Sequence, residues 1–386
     1  MMARLGDVCN IKSGYAFKSE MFTKNEIPII RIGNITENGL EIDNDICFDE
    51  SFWNKNKNYR INKDDVLVAM SGATVGKSCI NKHSNKLLLN QRVASISGKN
   101  GVENKYVYYF VSSPAFMDYI LEQSVGCAQP NISIKQLCAI EFYLPNLKEQ
   151  KEIVGKLDKV YNLIALRREQ LSKLDELVKA RFVEMFGDPE SNSKKWAKEP
   201  LSKHLNVVGG YAFKSELFTE EGIPVLRIGN INAGFFQAVN MVYWKKDDSL
   251  SRYMMYPGDL VMSLTGTVGK DDYGNVCVLG NNYESYYLNQ RNAKLELFSS
   301  LDKYYLSQIL KFPVIKKKLT GISRGVRQAN ISNKDILNLE IPIPPIELQN
   351  EFASFIKQID KSKFEVQQSL EKLETLKKSL MQQYFG

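Results

Sequence analysis

Two kinds of hydrophobic pattern alternate along the chain. In residues 147–187 and 346–386 apolar side chains recur every three or four positions. They are Ile153, Leu157, Val160, Ile164, Leu171, Leu174, Val178 and Met185 in the first stretch. In the second they are Phe352, Ile356, Ile359, Val366, Leu370, Leu373, Leu380 and Tyr384. Both sets keep a seven-residue repeat, which predicts two long helices with a coiled-coil seam. Leu157, Ile164, Leu171 and Val178 form one side of the expected seam, and Ile359, Val366, Leu373 and Leu380 the other. Arg167, Arg181, Lys363 and Lys377 interrupt it, either to fix register or to snorkel out where the pair flares. Pro344-Pro345 marks a helix start, and Gly187 and Gly386 mark helix ends. Residues 1–146 and 188–345 read differently. Short β-branched and aromatic runs, such as Ile27–Ile32, Val66–Met70 and Ile140–Leu144, are broken by Gly, Asn and Pro. They predict strands and turns, with helices starting near Tyr106 and Lys303.

The two patterned halves are one unit written twice. Residues 14–35 (GYAFKSEMFTKNEIPIIRIGNI) and 210–231 (GYAFKSELFTEEGIPVLRIGNI) are identical at 16 of 22 positions. Further on, Leu89-Asn90-Gln91-Arg92 matches Leu288-Asn289-Gln290-Arg291, and Phe186-Gly187 matches Phe385-Gly386, 199 residues apart. The expected fold class is therefore α+β: tandem mixed domains at 1–146 and 188–345, each followed by a spacer helix, 147–187 and 346–386. Short connections make the second helix run back along the first. An antiparallel pair with one domain at each end, a pseudo-twofold dumbbell, is the expectation. A helix of ~35 residues spans ~50 Å. That length corresponds to roughly 15 base pairs of duplex DNA, a ligand whose half-sites recur at fixed spacing.

Composition narrows the classes without choosing among them. The 386 residues carry 51 Lys and Arg against 44 Asp and Glu, a net charge of +7, which permits a polyanionic partner. No apolar run approaches the ~20 residues of a membrane span, and the N-terminus lacks the apolar stretch of a signal peptide. Six scattered cysteines without a CxxC pair fit free thiols in a reducing cytoplasm. Two histidines without paired cysteines do not make a zinc site, and no nucleophile elbow, dinucleotide fingerprint or amino-methylation motif is present. No catalytic residue and no metal ligand is expected on this chain.

Candidate DNA-contacting residues fall into shared and divergent groups. The shared group begins with the Gly-rich turns: Ser71 and Lys77 in copy one, Thr265 and Lys270 in copy two. Ser71–Ser78 resembles a P-loop but has Ser where its first Gly should be, and Gly269-Lys270 is followed by Asp271. A single phosphate contact or a plain β-turn are the remaining readings. Gln91, Arg92, Gln290 and Arg291 suit base edges, yet their presence in both copies fits phosphate contact or a scaffold role. Lys18, Lys214, Arg31 and Arg227 fall under the same reasoning. Gln129/Gln328 and Asn131/Asn330 precede expected helix caps at Ser133 and Ser332. The divergent group is Lys316, Lys317, Lys318, Arg324 and Arg327, together with Trp53, Lys55, Lys57, Lys245 and Lys246. Mixed basic and aromatic runs suit phosphates and grooves, and a solvated charge run is the bland alternative.

The repeat, the I-P-x-x-R-I-G-N-I run, the G-x-x-V-G-K turn, the N-I-S run and the L-P…E-Q helix start together resemble the specificity (HsdS) subunits of type I restriction-modification systems. The resemblance covers essentially the whole chain. It implies two target-recognition domains that each read half of a split DNA site. It also implies helices that set the gap and dock two methyltransferase subunits. S-adenosylmethionine, ATP and Mg²⁺ would then sit on those methyltransferase subunits and on restriction subunits. A coiled-coil adaptor with two protein-binding domains and a stand-alone nuclease or methyltransferase are the alternatives.

Overall fold

The computed structural model describes residues 1–36, 38–123, 130–231, 234–267, 272–321 and 328–386. The chain divides into two compact units. The first is Met1–Arg168 with Gln367–Gly386, and the second is Glu169–Val366. Each unit thus combines one mixed domain with parts of both long helices.

The core of the first unit is a four-stranded antiparallel sheet in the order Cys9–Ser13, Val93–Gly98, Val66–Ala69, Ser78–Ile80. Of its two inner strands, Val66–Ala69 reads Val-Leu-Val-Ala and is buried at all four positions. Alternation along a strand sends neighbours to opposite faces. Val66 and Val68 join the cluster that includes Phe110, Phe116 and Leu157. Leu67 and Ala69 join Ile30, Leu87 and Leu89 instead. A smaller sheet (Cys47–Phe48, Ile27–Ile30, Leu88–Leu89) covers that second face, and within it Ile29 and Ile30 pair in parallel with Leu88 and Leu89. Helices Asn104–Val111, Pro114–Gln123 and Ile134–Ala139 complete the unit.

The second unit repeats the plan. Its main sheet runs Leu205–Gly209, Asn292–Leu297, Leu260–Ser263, Val276–Val278. The smaller sheet runs Val242–Trp244, Ile223–Leu226, Tyr286–Leu288, Met254–Met255, with Val225 and Leu226 parallel to Tyr287 and Leu288. Ser133 and Ser332 both cap short helices, accepting from Gln136 N at 3.2 Å and from Asp335 N at 3.2 Å.

The two long helices are Leu147–Phe186 and Ile346–Phe385, 40 residues each and so about 60 Å long. Both start at the expected positions, Leu147 and Ile346, and their 40 residues exceed the ~35 used for the ~50 Å spacing. A buried glutamine ties each helix start to its domain. Gln150 Oε1 accepts from Glu103 N at 2.9 Å, and its Nε2 donates to the Gly101 and Pro145 carbonyls. Gln349 does the same with Asp302 N, Ser300 O and Pro344 O. Gly187, at φ +80°, ends the first helix, and Trp196 Nε1 donates to the last helical carbonyl, Phe186 O, at 3.0 Å.

Inside each unit the helix segments pack antiparallel. In the first unit Leu157 shares a core with Met381 and Phe385, while Arg168 pairs with Glu374 at 2.7 Å. In the second, Phe182 and Phe186 pack on Phe352, while Lys363 reaches Asp175. Of the eight seam residues, Leu157, Ile164, Val178, Ile359 and Val366 are buried; Leu171, Leu373 and Leu380 are half-buried. The polar interruptions bond across the pair: Arg167 Nε to Ser369 Oγ at 3.2 Å, Arg181 to Glu351 at 3.2 Å, and the Lys377 ammonium 4.6 Å from the Tyr161 ring. Such pairing favours the register reading over a frayed seam.

Candidate nucleic-acid interface

In each unit the shared motifs meet at one edge of the small sheet, where its parallel pair ends. Tyr15 N donates to Leu89 O and Gln91 N donates to Tyr15 O, at 2.8 and 3.0 Å. The G-Y-A-F-K run therefore lies alongside the N-Q-R turn. That approach requires a glycine before the tyrosine, since a Cβ on Gly14 would lie 1.8 Å from Leu89 O. Met70 N donates to Arg92 O, Ile132 N to Met70 O, and Ser71 bridges Asn131. Four segments distant in sequence are thus stitched together through their backbones.

The second unit builds the same edge. Tyr211 N donates to Leu288 O, Gln290 N to Tyr211 O, Leu264 N to Arg291 O and Ile331 N to Leu264 O. Thr265 pairs with Asn330. A Cβ on Gly210 would lie 2.1 Å from Asn289 O.

The side chains at this edge divide into supports and free ends. Asn90 is buried, and its Oδ1 accepts from Arg92 N at 3.2 Å, which shapes the turn and turns Gln91 and Arg92 outward. Gln91, Arg92, Gln290 and Arg291 are all exposed, as are Lys18, Lys214 and Lys77. Tyr15 and Tyr211 are 40% and 37% exposed, with their rings braced from behind. Tyr15 packs on Phe17, Phe52 and Tyr59, and Tyr211 on Phe213 and Tyr253. A fixed aromatic ring beside Arg and Lys matches the chemistry of nucleic-acid contact: a face for stacking and cations for phosphate.

Other candidates have different placements. The Ser71 hydroxyl is buried within the turn, and the turn leads into strand Ser78–Ile80 rather than a helix, so it lacks the helix N-terminus that a P-loop uses. Thr265 is half-buried in strand Thr265–Thr267; Lys270, Arg324, Arg327 and Gln129 lie outside the described residues. Trp53 has its ring face covered by the Arg60 guanidinium at 3.7 Å, which makes it a brace, while Lys55 and Lys57 beside it are exposed. Lys245 and Lys246 are exposed after strand Val242–Trp244, and Trp244 packs on Phe213 at 5.1 Å. Lys316 Nζ donates to Asn275 Oδ1 at 2.7 Å, whereas Lys317 and Lys318 project from helix Pro313–Thr320 into solvent. The matching helix, Pro114–Gln123, carries two acidic residues and no basic one.

Arg31 and Arg227 are half-buried and sit in a tight turn rather than on an open strand. Asn34 and Asn230 close these turns, accepting from Arg31 N and Arg227 N at 2.8 and 2.9 Å. Sequence reasoning passed over these two asparagines and the exposed tyrosines. Their signal was retention of the same residue types in both copies at positions a strand-forming run does not require.

The model of the type I restriction modification DNA specificity domain matches residues 1–176 and again 193–377. The chain belongs to this family. Among curated relatives, the type I restriction enzyme MjaVIII specificity subunit of Methanocaldococcus jannaschii is 28% identical over 347 residues, 84% of this chain and 79% of that protein. The EcoBI specificity subunit of Escherichia coli is 23% identical, covering 99% of this chain and 84% of its own. The crystal structure of the S subunit of the type I system of M. genitalium superposes with a TM-score of 0.61 at 15% identity, over 100% of this chain and 96% of the other. At that identity the match speaks for the fold. As a family member the chain is a DNA-specificity subunit, and its twofold repeat gives it one copy of the shared edge per domain. Among the described residues no group of three or more His, Cys, Asp and Glu side chains is placed to hold a metal, and no helix is long and apolar enough to cross a membrane.

Proposed function

We propose that this specificity subunit recognises a split duplex DNA sequence, each unit reading one half, with the gap set by the two long helices. The observation that carries this reading is the repeated edge. One chain builds it twice, with Tyr15, Lys18, Gln91 and Arg92 in one unit and Tyr211, Lys214, Gln290 and Arg291 in the other, all exposed. Arginine and lysine supply the sequence-independent phosphate term, and direct discrimination falls to residues that differ between the units. In this reading the helices also dock two methyltransferase subunits. Those subunits hold S-adenosylmethionine and modify adenine, and restriction subunits bring ATP and Mg²⁺. The work takes place in the cytoplasm.

Mapping methylated adenines in genomic DNA with and without this gene tests the proposal. One split motif should lose its methylation when the gene is removed. An unchanged methylation map would overturn the reading.

A further inference from the structure

The two units clamp unlike loops through an asparagine at the same position of the repeat. Asn34 Nδ2 donates to Glu41 O at 2.9 Å while Glu41 N donates to Asn34 O at 2.9 Å. Asn230 Nδ2 donates to Gln237 O at 3.0 Å while Gln237 N donates to Asn230 O at 2.8 Å. Both clamps enclose six residues. Behind each clamp the loop is pinned by two apolar side chains. Ile35 and Leu40 enter the Leu67 cluster of the first unit, and Ile231 and Phe236 enter the Val261 cluster of the second.

What the frames hold differs in both chemistry and shape. In the first unit Gly39 takes the left-handed conformation at φ +116°, five residues after the clamp asparagine. In the second, Gly234 takes it at φ +76°, four residues after. The first tip is polar: Thr36 Oγ1 donates to Gly39 O at 3.1 Å, and Asn38 is exposed. The second carries Phe235, a large apolar side chain left 57% exposed. The first loop leaves the same turn as Ile32, whose Cδ1 lies 3.8 Å from where a Gly72 Cβ would sit, so it borders the shared edge; the second leaves the equivalent turn, Ile228–Asn230. A constant frame beside a constant phosphate-binding edge, holding variable exposed tips, is the arrangement that sequence discrimination requires.

We propose that these tips read bases, an inference that rests on the DNA-recognition function above. Asn38 offers its amide to a base edge, for which adenine N6 and N7 are the matching pair. Phe235 offers an apolar contact, for which the thymine methyl group is the match in the major groove.

The test selects bound duplexes from a random library, using the full-length chain assembled with the methyltransferase subunits. The parent, Asn38→Ala, Phe235→Ser and Phe235→Leu are run side by side, with thermal melts as a check on folding. Asn38→Ala should relax discrimination at one position of one half-site by roughly tenfold to a hundredfold. Phe235→Ser should do so in the other half, Phe235→Leu should largely keep the preference, and the salt slope should stay unchanged. A parent motif reproduced unaltered by both Asn38→Ala and Phe235→Ser would overturn the tip proposal while leaving DNA recognition standing. Equal weakening of both half-sites by one substitution would count against it too. A parent that enriches no sequence would remove the functional reading and the tip proposal together.

Discussion

Phe385, the last residue of helix Ile346–Phe385, sits in the core of the first unit. It is 8% exposed, and its ring centroid lies 5.2 Å from Tyr106 and 6.4 Å from Phe110. Replacing a buried Phe by Ala typically costs about 3–5 kcal/mol through lost transfer energy and a residual cavity. A helix terminus relaxes more readily than a central strand, which places Phe385→Ala near ~3 kcal/mol. Since ten-fold corresponds to about 1.4 kcal/mol, amides that exchange by opening of the whole unit should exchange roughly a hundredfold faster. Hydrogen exchange read by mass spectrometry resolves the two units in one sample. Protection should fall in Val66–Ala69, a buried inner strand of the first unit, far more than in Leu260–Ser263, its equivalent in the second. Phe186→Ala is the mirror experiment. Phe186 is 3% exposed and packs on Tyr305 at 4.8 Å and Phe352 at 5.4 Å, so its loss should open the second unit. Undiminished protection in Val66–Ala69 of Phe385→Ala would refute the claim that the last turn of helix Ile346–Phe385 completes the first unit's core.

Other outcomes follow from the same contacts. Gln150→Ala should destabilise the first unit by about 1–3 kcal/mol, because the Glu103 amide and two carbonyls lose their buried partner; an unshifted denaturation midpoint would contradict this. Gly14→Ala should disrupt the shared edge, given the 1.8 Å approach to Leu89 O, and would be read as lost DNA selectivity with a lowered melting temperature. Burial pushes the Cys9, Cys79 and Cys277 thiols up to about 12, since desolvation disfavours the thiolate. Only roughly one in ten thousand of each is ionised at pH 8, so alkylation of the native chain should spare them until the pH or a denaturant is raised. Replacing Lys317 and Lys318 together by Ala should weaken DNA binding evenly across sequences and reduce the salt slope by about two; an unaltered slope would return that run to plain solvated surface.

The long helices were legible because burial on one stripe leaves a periodic record, and Leu157, Ile164 and Val178 carry it directly. The two-unit plan was legible through the repeat. The parallel pairing of Ile29-Ile30 with Leu88-Leu89 was not, since such short apolar runs record burial but neither partner nor direction. At the candidate interface, residue type pointed to Arg92 and Arg291, which the fold leaves exposed, and to Trp53, whose ring face the fold covers. Trp53 beside lysines looks like a groove contact by composition, yet Arg60, seven residues on, covers its ring. Tyr15 lies in an unremarkable run and becomes prominent only because backbone bonds to the Leu89–Gln91 turn set it at the edge. Asn34 and Asn230 were legible only as repeated letters, because their task is to bond backbone atoms seven residues away.

Split-site recognition is read most simply by selecting duplexes from a random library, at several salt concentrations, with the chain assembled with the methyltransferase subunits proposed above. Two short conserved blocks separated by a constant number of unconstrained base pairs should emerge, with the logarithm of the affinity falling linearly in log salt. A library that enriches no sequence, or a single uninterrupted block, would contradict it.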